Sequence, residues 1–141
     1  MKDDRAASTN EKVTVSIVSD LDIVTARQEG RALALLMGFS STDATLVAAS
    51  ISELARNIIL YAKHGEIALG VIEDGGRRGI GVEARDEGPG IPDVRRALIG
   101  GYSTSGGLGL GLPGVRRLMD EFEITSEPGK GTTVRARKWR R

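Results

Sequence analysis

Four short groups of residues in this chain have types and spacings that can do chemistry. Glu53 and Asn57 stand four positions apart in a segment of helical periodicity, so their side chains point the same way. Each comes one position before an apolar neighbour, Leu54 and Ile58, which places the pair at the rim of a buried stripe. There a carboxylate can take a proton, and a carboxamide oxygen can ligate a hard cation such as Mg²⁺. The same pair also suits an ordinary helix with polar flanks. Asp86 opens the second group, Asp86-Glu87-Gly88-Pro89-Gly90, and prolongs the alternating row Ile80, Val82, Ala84. An acid ending an apolar row is costly to bury unless something hydrogen-bonds to it. A purine amino group would, with Gly88 and Gly90 letting backbone approach the base; a strand-end Asp can equally cap its own turn.

The third group is Ser105-Gly106-Gly107-Leu108-Gly109-Leu110-Gly111-Leu112-Pro113. Glycines before a helix start expose backbone N–H groups to an anion, the helix N-terminus adds its positive end, and Pro fits a first turn. The run contains no Walker pattern and does not follow a first βα turn, so neither a P-loop nor a Rossmann site is expected. A plain connector is the bland alternative, although connectors seldom interleave Gly and Leu so regularly. In the fourth group, Gly131-Thr132-Thr133, Thr132 shares a strand face with Val134 and Ala136, so its hydroxyl is the one expected to point into a pocket.

The elements that must position these groups follow from periodicity. Residues 1–10 are expected to be a flexible leader, with 11–141 as one domain. Val13, Val15 and Ile17 mark a strand. A helix capped by Ser19 or Asp20 runs through Ile23, Ala26, Leu33 and Met37 to Gly38. Ser40-Ser41-Thr42-Asp43 caps a longer helix with the stripe Val47, Ile51, Leu54, Ile58 and Tyr61, closed by Gly65. Strands are expected over 66–73 and 79–86, joined by Gly75-Gly76-Arg77-Arg78, then a short helix over 92–98. A further helix opens near Pro113 with Val115, Leu118, Met119 and Phe122 on one side. Strands over 123–126 and 132–139 end the chain. Helices segregate from strands, which predicts an α+β fold: a two-layer sandwich with a mixed, mostly antiparallel sheet and helices on one face.

Composition excludes several alternatives. The 141 residues fit a single domain, and 20 Lys and Arg against 19 Asp and Glu leave a net charge of +1, which gives no argument for a polyanion-binding protein. With no cysteine, disulfides, thiolate metal sites and thiol catalysis are out. No apolar run is long enough to cross a bilayer and the first residues are polar, so no membrane partner and a cytoplasmic location are expected. The basic end, Lys130, Arg135, Arg137, Lys138, Arg140 and Arg141 with Trp139, reads as a solvated edge strand with protective cations and not as a nucleic-acid site. Glycine is in excess: 19 in all, thirteen of them between Gly75 and Gly114, where average usage is ~7%.

Glu-x-x-x-Asn on a helix, Asp-x-Gly-x-Gly after a strand, a glycine–leucine loop and Gly-Thr, in this order, resemble the GHKL or Bergerat ATP-binding family. Sensor histidine kinases, gyrase and MutL ATPases, Hsp90-type chaperones and anti-sigma serine kinases belong to it. The resemblance implies ATP and Mg²⁺, with Asn57 holding the metal, Glu53 as catalytic base and Asp86 accepting from the adenine amino group. Gly88 and Gly90 would lie on the adenine side with Thr132 in support. Gly106, Gly107, Leu108, Gly109, Leu110 and Gly111 would form a lid over the phosphates.

Gyrase-type and chaperone relatives need further domains for which this length is not expected to leave room. Histidine kinases need a phosphoacceptor on a helical hairpin, while the one histidine, His64, is expected to cap helix carbonyls. Over Ile51–Asn57, Asp86–Asp93, Tyr102–Gly109 and Gly111–Phe122 the chain is similar to the RsbT-type switch kinases of bacterial stressosomes. That branch implies serine or threonine phosphorylation of STAS-domain antagonist and scaffold proteins, followed by activation of a downstream regulator such as a PP2C-type phosphatase. The alternative is an adenine-nucleotide-gated module that sequesters a sigma factor or other partner and scarcely phosphorylates. Between Leu98 and Val115 there is no Lys or Arg, so turnover without the partner is expected to be slow.

Overall fold

The computed structural model describes residues 12–91, 94–99 and 111–141. Its elements are β1 (Lys12–Ile17), α1 (Asp20–Leu36), α2 (Ser41–Ala62), β2 (Gly65–Asp74), β3 (Arg77–Asp86), α3 (Val94–Ile99), α4 (Gly111–Leu118), β4 (Glu121–Glu127) and β5 (Gly131–Trp139). The strands form one sheet in the order β1-β2-β3-β5-β4, and every described pairing is antiparallel. The expected α+β sandwich is therefore present, with an antiparallel sheet in place of a mixed one.

Local chemistry sets the element ends. Asp22 Oδ2 accepts from the N–H groups of Val18 and Ser19 at 2.8 and 3.1 Å, which starts α1, and Ser40 Oγ accepts from the Asp43 N–H at 3.0 Å to start α2. Helix α2 is closed by Lys63, at φ 76° with its N–H donating to Ile58 O, while Gly65 opens β2 and His64 lies exposed beyond the helix. The β2–β3 hairpin turns on Gly75 and Gly76 alone, at φ 59° and 87°, as a two-residue turn of this hand requires; Arg77 and Arg78 already pair in the sheet. Phe122, expected on the last helix, sits in β4 because α4 ends at Leu118.

The core fills the space between α2 and one sheet face. Val47, Ile51, Leu54 and Ile58 meet Ile17, Ile67, Leu69, Ile80 and Val82, each large aliphatic contributing about 1.5–3 kcal/mol. Tyr61, expected to continue that stripe, is 47% exposed. Helix α1 lies against α2 along Ile23, Ala26, Gly30 and Ala34, and a Cβ at Gly30 would run into Ile51 Cδ1.

The opposite sheet face is mostly charged, with Glu66–Arg85, Glu83–Arg135 and Glu121–Arg137 pairs across strands. One apolar patch interrupts it. Trp139 covers Gly79 beside Ile72 and Gly81, and Arg77 stacks 4.0 Å from its ring centroid. The basic end thus differs from the expected solvated edge strand. β5 lies between β3 and β4, and Lys138 is buried on the core side, its Nζ donating to Leu118 O at 2.9 Å beside Asp120. Among the described residues no helix is long and apolar enough to cross a membrane.

Candidate nucleotide site

Three neighbouring strands end their apolar rows in a polar residue at the same edge of the sheet. On β3 the row Ile80, Val82, Ala84 ends in Asp86, and on β5 the row Ala136, Val134 ends in Thr132, which pairs directly with Asp86. On β4 the row Phe122, Ile124 ends in Ser126, paired with Thr132. Above this edge passes the C-terminal half of α2, where Leu54, Asn57, Ile58 and Tyr61 fall on one helix face. Between helix and strands lies a cleft of about 150 Å³, walled largely by apolar side chains, with Asn57, Tyr61, Asp86 and Thr132 as its polar side chains and Gly90, Gly111 and Leu112 also lining it.

Asp86 does two jobs that the sequence presents as alternatives. Its Oδ1 accepts from the Gly88 N–H at 2.9 Å, tying the turn that follows β3, and the carboxylate still lines the cleft. Gly88 itself is packed against α2: a Cβ there would come within 2.6 Å of Ala62 Cβ. Gly90, at φ 83°, would drive a Cβ into Glu127 O, and Pro89 O accepts from the Gly129 N–H at 2.7 Å. The loop after β3 is thus seated between α2 and the β4–β5 turn, and glycine is required at both ends of that seat.

Glu53 does not line the cleft. It is 7% exposed, with Oε1 accepting from the Gly111 N–H at 3.1 Å and Oε2 paired with Arg56 at 2.9 Å. The carboxylate thus stands at the N-terminus of α4, where a negative charge is favoured. Of the other expected residues, Asn57, Asp86, Gly90, Gly111 and Thr132 surround one cleft, and Gly88 supports it. Gly106, Gly107, Leu108, Gly109 and Leu110 lie outside the described residues.

Sequence reasoning missed Ser126. Its Oγ accepts from the Ile91 N–H at 2.7 Å, donates to Gly131 O at 3.2 Å and meets Thr132 Oγ1 at 2.8 Å. The signal was available, since Ser126 ends an apolar row as Asp86 does. Gly131, at φ 97°, is needed for the same junction, where a Cβ would run into Asp86 O.

Comparison with known proteins places this arrangement. Residues 42–140 match the family described as histidine kinase-, DNA gyrase B-, and HSP90-like ATPase. The chain belongs to this family. It is 51% identical over 132 residues to the serine/threonine-protein kinase RsbT of Bacillus subtilis (strain 168), covering 94% of this chain and 99% of that one. It is 34% identical over 95 residues to an anti-sigma F factor of Thermoanaerobacter sp. (strain X514), covering 64% and 66% of the two chains. A fold neighbour is the crystal structure of the SiaB-SiaC complex from Pseudomonas aeruginosa, with a TM-score of 0.57, 16% identity and 93% and 90% coverage. This family member is an ATP-using serine/threonine protein kinase.

The cleft suits the nucleotide such a kinase consumes. Its apolar walls accept a flat base, and its polar end offers oxygens to an amino group. Asn57 and the first residues of α4, Gly111 and Leu112, line the same cleft. Among the described residues no three His, Cys, Asp or Glu side chains gather.

Proposed function

We propose that this kinase transfers the γ-phosphoryl group of ATP to a serine or threonine of STAS-domain antagonist and scaffold proteins in the cytoplasm. Once its substrates are modified it changes partner and activates a downstream regulator such as a PP2C-type phosphatase. Residues 11–141 act as one kinase domain. The observation that carries this reading is the identity to a serine/threonine kinase across 99% of that kinase's length.

The chain's own residues divide the work. Asp86 and Thr132 orient the base, and the apolar walls exclude water from it. Glu53 takes the proton of the incoming hydroxyl as its oxygen bonds to the γ-phosphorus and the bond to the ADP oxygen breaks. For this Glu53 must free an oxygen, and Oε2 is the candidate, because Arg56 has a side chain 37% exposed and can swing away. Asn57, with phosphate oxygens, would hold a Mg²⁺ ion, which would supply charge neutralisation when bound. The run Gly106 to Leu110 would give its backbone N–H groups to the phosphates, whereas the Gly111 N–H is already donated to Glu53 Oε1.

The similarity to anti-sigma F factors favours a second reading, a nucleotide-gated module that sequesters its partner with little transfer. Incubation with labelled ATP and a STAS-domain protein separates the two. The kinase reading expects Mg²⁺-dependent label on the STAS protein; no label with the wild-type chain would leave the sequestering module.

A further inference from the structure

Ser126 makes three hydrogen bonds, two of them to backbone groups whose direction is fixed. The Ile91 N–H can only donate, and it reaches Ser126 Oγ at 2.7 Å. Gly131 O can only accept, and it lies 3.2 Å from the same oxygen. A serine hydroxyl has one proton and two lone pairs. If both backbone groups are to be satisfied, the Ser126 proton goes to Gly131 O, and the 2.8 Å contact with Thr132 Oγ1 must be donated by Thr132. Thr132 then has no proton left for the cleft that it lines and shows it lone pairs only.

The neighbouring group has the same polarity. Asp86 is paired with Thr132 across β3 and β5 and has one carboxylate oxygen committed to the Gly88 N–H, so it too offers the cleft an acceptor. Two adjacent acceptors suit a 6-amino purine, whose amino group has two protons to give. They oppose a 6-oxo purine, whose carbonyl would set lone pairs against lone pairs.

We propose that Ser126, which is not itself a cleft wall, is a positioning residue that locks the Thr132 hydroxyl as an acceptor and so makes the cleft select 6-amino over 6-oxo purine nucleotides. This rests on the reading of the cleft as a nucleotide site. Removing the Ser126 oxygen frees the Thr132 proton, which can then turn toward a 6-oxo group. A structural support would weaken binding of both nucleotide classes alike, whereas a polarity lock changes their ratio.

The test is calorimetric titration of ADP and IDP into the full chain, as wild type, Ser126→Ala, Ser126→Thr and Thr132→Val. Wild type should prefer ADP. Ser126→Ala should narrow the ADP:IDP affinity ratio about tenfold, the effect of one hydrogen bond changing sign, and Ser126→Thr should restore it. Thr132→Val narrows the ratio while leaving the Ile91 and Gly131 bonds of Ser126 in place, so the idea stays testable if Ser126→Ala folds poorly. An unchanged ratio in Ser126→Ala, or in Thr132→Val, overturns the role of Ser126. Wild type binding neither nucleotide overturns the nucleotide reading of the cleft itself.

Discussion

The buried carboxylate of Glu53 accepts a hydrogen bond from the backbone N–H of Gly111, 3.1 Å away and 58 residues further along the chain. This bond ties the middle of α2 to the first residue of α4, where the glycine–leucine run ends. A residue placed by motif as a proton acceptor is thus also an anchor for α4. The two roles separate by substitution.

Glu53→Gln keeps an oxygen for the Gly111 N–H but cannot take a proton. Phosphate transfer to the protein substrate should fall by at least ~100-fold, while ADP affinity and thermal stability stay near wild type. Glu53→Ala should lose transfer and also about 1–3 kcal/mol of unfolding free energy, because a buried N–H is left unpaired. Transfer assays with urea melts read both, and a Glu53→Gln chain that transfers normally would remove Glu53 from the chemistry.

Asp86 and Asn57 should fail in different ways. Asp86→Asn replaces an acceptor-only group by one that also donates, so ADP binding should weaken by about tenfold or more. Asn57→Ala should leave metal-free ADP binding within a few-fold and abolish Mg²⁺-dependent transfer. Calorimetry with and without Mg²⁺ distinguishes them; equal losses in EDTA would place Asn57 on the base and not on the metal.

What the sequence discloses about the site is uneven for physical reasons. Asp86 and Thr132 are legible because a two-residue period assigns each strand residue to a face, and a polar residue closing an apolar row stands out. Ser126 obeys the same rule, but its importance lies in the β4–β5 register and in a bond to Ile91, which no local pattern encodes. Lys138 reads as a surface cation because buried lysines are rare, yet Leu118 O and Asp120 satisfy it inside. The last helix stops four residues short of Phe122, whereas most element ends are legible to a residue or two. The reasons for individual glycines are not, because Gly30, Gly81 and Gly88 each answer to a side chain on a neighbouring element.

Gly30 supports a prediction about stability alone. Its missing side chain lets α1 seat against Ile51, so Gly30→Ala forces either the Ile51 rotamer or the helix spacing to change. Despite the better helix propensity of Ala, the variant should lose about 1–3 kcal/mol in urea unfolding, with ADP affinity unchanged in the folded protein. A stabilised variant would show that Ile51 moves aside without cost.

Catalytic turnover should depend on the partner. No Lys or Arg occurs between Leu98 and Val115, and of the nearest cations Arg56 is paired with Glu53 while Arg116 is exposed on α4. Phosphoryl transfer spreads negative charge over the γ-oxygens, and a cation supplied there accelerates comparable reactions by about 10³–10⁵-fold. Without one from this stretch of sequence, the kinase should hydrolyse ATP very slowly alone and speed up when its protein substrate docks. Steady-state ADP release with and without the STAS-domain protein measures this. Brisk partner-free hydrolysis would mean that Arg56 leaves Glu53 for the phosphates, and Arg56→Ala would then abolish that hydrolysis.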